Sequence, residues 1–179
     1  MRKRDSASLF LIVLGAKLEK QGKGQQILAK SREIADEIPL FQVVDAALVA
    51  GKEHLLSSFW HAFCHFNAGR RISSHLSLEV LLYAAGVRQI NQAISSLGIH
   101  DSTKTIALIA GSPDLSGLRK KVSVFLKDIN AQHDDTVLEM NSTKEDSLAR
   151  ELWGISMRVD QDFVLQKIAE TPLLISKKQ

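Results

Sequence analysis

Three short apolar runs, at residues 9–14, 41–46 and 105–110, constrain the fold of this chain most. Each is rich in β-branched or aromatic residues and too short for a stable helix, so each reads as a strand. Between them the apolar spacing switches to three and four residues, the period of a helix packed on a sheet. A polar helix is expected at about 25–36, closed by Pro39. Gly51 precedes an amphipathic helix through about Asn67, with Leu55, Phe59, Phe63 and Phe66 on one face. Ser74 is placed to cap a helix ending at Ala85, which Gly86 interrupts. A further helix carries Val87, Ile90, Ile94 and Leu97, and Gly98 occupies the place of a C-cap glycine. Pro113-Asp114 opens a helix containing Leu118, Val122, Phe125 and Ile129. A strand at 137–140 and helical patterns at 143–153 and 160–170 follow, the last closed by Pro172. Strands separated by one or several helices predict an α+β chain: one domain, with a small, mostly antiparallel sheet packed against several helices. The domain is expected over residues 9–176, after a flexible N-terminal extension at 1–8.

Composition excludes more than it selects. The chain has 179 residues, 45% hydrophobic and 24% charged, with a net charge of +3. These are soluble-globular values, too mild for a general coat of nucleic acid or membrane. The charge is unevenly spread. Residues 1–32 hold eight Lys and Arg against two acids, 33–69 one Lys against five acids, and 70–88 three Arg against Glu79. No apolar stretch approaches the roughly 18–20 residues of a membrane span. The basic N-terminus followed by Leu9–Leu14 has no small-x-small cleavage site, so a cytoplasmic protein is expected.

The catalytic inventory is empty. The glycine-rich segment Gly15–Gly24 follows a strand but puts six residues between Gly15 and Gly22, and lacks the Ser or Thr of a phosphate loop. His61 and His65 stand four apart on one helix with Cys64 between and His54 behind, a spacing compatible with a shared metal. The glutamate of a metalloprotease motif is missing, and no second ligand cluster exists. Flanks of an apolar stripe suit these histidines better, and Cys64, the single cysteine, suits a core thiol. Asp134-Asp135 reads as a polar turn. No Gly-x-Ser-x-Gly elbow occurs. Neither an enzyme nor a cofactor or metal site is expected.

The helix–glycine–helix segment at 77–94 is the informative one. Arg88, Gln89, Asn91 and Gln92 are good partners for base edges, in the outline of a helix-turn-helix DNA-binding regulator. Arg70, Arg71 and Arg88 concentrate positive charge there.

The same segment resembles the TPRKB-like small subunit of the KEOPS (EKC) complex. Residues 78–94, LEVLLYAAGVRQINQAI, followed by Leu97-Gly98, match a family motif that commonly reads Glu-Ile-Leu and then Ala-Ser-Gly-x-Arg-Gln-Ile. Ala85 replaces the usual Ser. Val44–Leu55, Asp134–Glu139, Trp153-Gly154-Ile155 and Lys167-Ile168-Ala169 follow the family's order, over about residues 8–176. The resemblance implies an archaeal-type, non-catalytic accessory subunit. Its partners would be the complex's atypical kinase/ATPase and the single-stranded 3′ CCA end of tRNA, in support of threonylcarbamoyladenosine (t6A) formation. On that reading Arg88 and Gln89 read bases, Gly86 lets backbone approach, Arg70 and Arg71 track phosphates, and Tyr83 or Ile90 offers an apolar platform. Leu165, Ile168, Leu173, Leu174 and Ile175 would dock the kinase. The alternatives are the DNA-binding regulator and a small metalloenzyme built on His61 and His65.

Overall fold

Four strands form an antiparallel sheet among the described residues: β1 (Phe10–Leu18), β2 (Leu40–Asp45), β3 (Thr105–Ser112) and β4 (Ala131–His133). The computed structural model describes residues 8–156 and 159–176, with side chains of the last helix given through Thr171. The spatial order is β2-β3-β1-β4, and β3 pairs with both long neighbours: Val13 faces Ile109, and Ile109 faces Gln42. A central strand covered on both faces needs apolar residues at every position, which is why β3 is buried from Ile106 to Ser112.

Helices lie on both faces. α1 (Gly24–Ala35) and α5 (Leu115–Asp128) cover one, where Leu14, Phe41, Val43, Ile106, Leu108 and Phe125 form a core. α2 (Gly51–Asn67), α3 (Leu76–Ala85), α4 (Ile90–Leu97) and α7 (Gln161–Ser176) lie on the other, over Leu40, Val44, Ala107 and Ile109. Alternate residues of β2 and β3 supply the two cores, as the pleat requires. The α+β, single-domain expectation holds.

Several boundaries differ from the sequence reading. The expected strand at 137–140 is a 3-10 turn, Asp135–Leu138, and the strand β4 precedes it. The Asp134 carboxylate accepts the Thr136 N–H at 3.0 Å and curls the chain. Val137 then packs under Gly15, where a Cβ would stand 2.5 Å from Val137 Cγ2. The helical pattern at 143–153 divides into α6 (Ser142–Ser147) and a wider π turn, Leu148–Leu152. α3 begins at Leu76 and takes no cap from Ser74; the Ser77 hydroxyl instead accepts the Phe41 N–H of β2 at 3.0 Å. α4 begins at Ile90 rather than Val87, because left-handed Gly86 (φ 66°) turns the chain out of α3 first. Gly98 is extended, not left-handed; glycine is needed there because a Cβ would strike the Ile94 carbonyl oxygen. α7 continues through Pro172 to Ser176, carried by the tertiary contacts of buried Val164 and Ile168 rather than by propensity.

Candidate nucleic-acid interface

Two structural devices, one at each end of α3, present the arginines. At the N-terminal end, Glu79 is fully buried in the first turns of the helix. Its carboxylate accepts the Ile72 N–H at 3.1 Å and the Ser73 N–H at 2.8 Å. A buried carboxylate bonded to backbone amides fixes the segment that supplies them, so Glu79 pins the loop carrying Arg70 and Arg71. Both arginines are exposed, and the Arg71 guanidinium lies 4.7 Å from the centre of the Phe66 ring.

At the other end, Gly86 closes α3 with its N–H directed at the Leu82 and Tyr83 carbonyls, and Val87 N–H donates to the Leu82 carbonyl at 3.1 Å. A Cβ at Gly86 would lie 3.5 Å from the Trp153 indole nitrogen and 3.8 Å from Thr171 Oγ1, so the turn is bordered by the chain's C-terminal part. Arg88 and Gln89 leave this turn exposed to solvent, and Gln89 is the N-cap residue of α4. α3 separates the two devices by roughly 15 Å, at 1.5 Å per residue.

A groove of about 740 Å³ opens beside the N-terminal half of α3 and reaches Ile90, the residue after Gln89. It runs between the β2 edge with α1 on one side and the α2–α3–α4 layer on the other, and Phe66, His75, Leu78, Ile90 and Ile94 are among its walls. Ile90 is half-buried with one side in the core, so it lines the groove as a fixed apolar wall. The Arg71–Phe66 stack places a cation at the same wall. An apolar slot with cations at its edge suits a flat, apolar-faced and negatively linked ligand. The sequence reading missed Phe66, His75 and Ile94. Phe66 counted as core-facing there, and only the meeting of five elements makes a groove of these residues.

A comparison with protein families matches residues 24–170 to the model described as "Kinase binding protein CGI-121". A curated relative, "Regulatory protein Cgi121" of Methanocaldococcus jannaschii, is 35% identical over 132 residues, covering 72% of this chain and 81% of the relative. The chain belongs to the CGI-121 family. Membership bears out the resemblance read at residues 78–94; the family's description is of kinase binding, and the relative is named as a regulatory protein.

Within this CGI-121 chain, two sequence-derived assignments fail on burial. Tyr83 has no exposed surface, so it is not a stacking platform. Its ring lies parallel to His61 with centroids 6.3 Å apart and edge-on to His65 at 6.0 Å, and burial pushes its phenol pKa up. Ile168 is 1% exposed and belongs to the core, so it is not a docking residue. Leu165 is half-buried and packs on the same core. Leu173, Leu174 and Ile175 have side chains outside the described residues.

The histidines are structural too. His54 is fully buried; its Nδ1 accepts the Ala50 N–H at 3.0 Å and its Nε2–H donates to the Ala84 carbonyl at 2.9 Å. It therefore ties the start of α2 to the end of α3, and burial lowers its pKa to about 4. His61 is shifted down as well, by burial and then by neighbouring His65. Cys64, read as a core thiol, is exposed, because it falls on the outward side of α2. Among the described residues, no three His, Cys, Asp or Glu side chains converge as a metal would need. Asp134 is held down to about 2 by its hydrogen bond with Lys17, 2.5 Å away, and Asp135 accepts from Lys52 at 2.5 Å and from the Gly15 N–H at 2.9 Å. These acids lock the β1–β4 edge. No described helix is long and apolar enough to cross a membrane.

Proposed function

We propose that this chain is a non-catalytic subunit of a KEOPS-type assembly, which binds the assembly's atypical kinase/ATPase and captures the single-stranded 3′ CCA end of tRNA for t6A formation. Membership of the kinase-binding CGI-121 family supports the first partner. The observation that carries the second is the apolar groove walled by Ile90 and Phe66, with Arg71 stacked on Phe66 at its edge. Unpaired bases are held by such slots, because each offers a π-face and a phosphate that duplex RNA does not present together. Arg70 and Arg71 meet phosphates on the Glu79-pinned loop, while Arg88 and Gln89, which precede groove-lining Ile90, meet the strand where it leaves the groove. The chain donates no nucleophile, acid or base to the modification; its role is to hold the substrate's end.

The test compares binding of intact tRNA with tRNA lacking its terminal CCA. Loss of the tail lowers affinity at least ~10-fold, the worth of one stacked base. Arg88→Glu and Arg71→Glu weaken the intact tRNA and leave the truncated one little changed. Equal affinity for both RNAs removes the tail-capture reading, and tight sequence-dependent binding of duplex DNA replaces it with a regulator.

A further inference from the structure

The outward side of α2 breaks the ordinary rule for a solvent-facing helix surface. Glu53, Leu56, Trp60 and Cys64 recur at intervals of three and four and are all exposed, so they form one stripe, which stops short of Asn67 on the groove wall. Trp60 is 61% exposed and Leu56 40%, and between Glu53 and Arg70 the sequence contains no Lys, Arg, Asp or Glu. An amphipathic helix normally places its charges on this face. Here it places an indole, a leucine and a thiol.

We propose that this stripe is the surface on which the partner kinase docks, with Trp60 as the central anchor; the assignment rests on the kinase-binding reading above. Exposed tryptophans at the middle of apolar patches are the residues that carry interface energy. Charge decides the class of partner. The only charged member of the stripe is Glu53, whose carboxylate accepts from Gln161 of α7 at 3.0 Å, and the start of α7 adds exposed Asp160 and Asp162. The acidic end disfavours a nucleic-acid backbone there, and the charge-free centre around the indole offers a phosphate no cation. The stripe suits a protein surface with an apolar pocket and a Lys or Arg on the rim facing Glu53, Asp160 and Asp162.

Cys64 makes the inference testable, because it is the single cysteine, is exposed, and lies one turn from Trp60. The full chain is mixed with the cognate atypical kinase, and two quantities are measured: the dissociation constant by calorimetry, and the rate of Cys64 alkylation by N-ethylmaleimide. Saturating kinase is expected to slow alkylation at least ~10-fold, the occlusion a fully desolvated interface centre provides. Trp60→Ala is expected to weaken the kinase at least ~30-fold, with Leu56→Ala weaker in effect. Trp60→Ala keeps the wild-type melting temperature and tRNA affinity, since the indole lies largely in solvent. If wild-type chain binds no kinase, the family-based reading fails and this inference with it. If kinase binds with unchanged affinity to Trp60→Ala and leaves Cys64 fully reactive, the docking surface lies elsewhere while the reading stands. Loss of tRNA binding in Trp60→Ala would make the indole a base platform. A dimer that Trp60→Ala dissolves would make the occupant a second copy. Either result overturns the proposal.

Discussion

His54 shows how a single residue can be misplaced by pattern and still govern stability. It stands behind His61 and His65, whose spacing is compatible with a shared metal or an amphipathic flank. The structure instead spends both ring nitrogens on backbone, joining Ala50 to Ala84. That arrangement requires the neutral ring, with the proton on Nε2, and burial lowers the pKa from 6.5 to about 4. The unfolded chain binds a proton at 6.5 that the folded chain refuses until about 4, so the stabilisation is complete above 6.5. It is lost as the pH falls from 6.5 toward 4, and amounts to about 3 kcal/mol over that range. Denaturant titrations between pH 7.5 and 4.5 should show this loss, and His54→Leu should flatten it while lowering stability at pH 7.5. An unchanged slope in the variant would assign the acid sensitivity to other groups. Nothing in the sequence distinguishes His54 from His61, because the difference lies in the Ala84 carbonyl, thirty positions away, that the fold brings to Nε2. Tyr83 was misplaced for the same reason. An aromatic beside a polar turn looks available until α2 covers it.

At the scale of elements, α3 is the support for both arginine groups, and its two ends work by different physics. The N-terminal end relies on Glu79, whose buried carboxylate meets two backbone amides from a loop otherwise exposed. Glu79→Ala leaves those N–H groups without an acceptor and opens a cavity, which costs on the order of 2–4 kcal/mol. Hydrogen exchange at Ile72 and Ser73 should accelerate more than at Val80 or Leu82, and tRNA affinity should fall although no arginine has been altered. Equal acceleration along the whole helix would mean that Glu79 serves global packing rather than the loop. Element positions were largely legible in the sequence. Apolar runs marked β1, β2 and β3, and Gly51, Gly86 and Asp114 stand at the helix boundaries expected of them. Illegible were the features set by contacts distant in sequence: the 3-10 turn under Gly15, and the passage of α7 through Pro172. The groove is of that kind too, since its walls come from α1, β2, α2, α3 and α4 and no one of these segments carries a signature for it.

For the molecule as a whole, the net charge of +3 is a sum over unlike surfaces, and salt dependence reads them separately. Arg70, Arg71 and Arg88 are the exposed cations assigned to the RNA above, and Arg32 of α1, also exposed, lines the groove itself. The helices on the opposite face of the sheet also hold basic residues, but several are neutralised locally: Lys30 pairs with Glu33 at 3.1 Å, and Lys121 pairs with Glu37. On the proposed tail-capture reading, a single-stranded end gripped by Arg70, Arg71 and Arg88 releases about two counterions, so log K for tRNA should fall with log salt at a slope near −2. A slope near −5 would require further cations, and Arg32 at the groove with Arg119, Lys120 and Lys127 of α5 are among the exposed ones able to supply them. The two outcomes describe different machines. The shallow slope belongs to a subunit that holds only the tail of its RNA, leaving the tRNA body to other subunits. The steep one belongs to a subunit that cradles the body across the sheet. The alanine-free way to separate them is the RNA itself: a four-nucleotide ACCA oligonucleotide should reproduce the slope of whole tRNA in the first case and fall well short of it in the second.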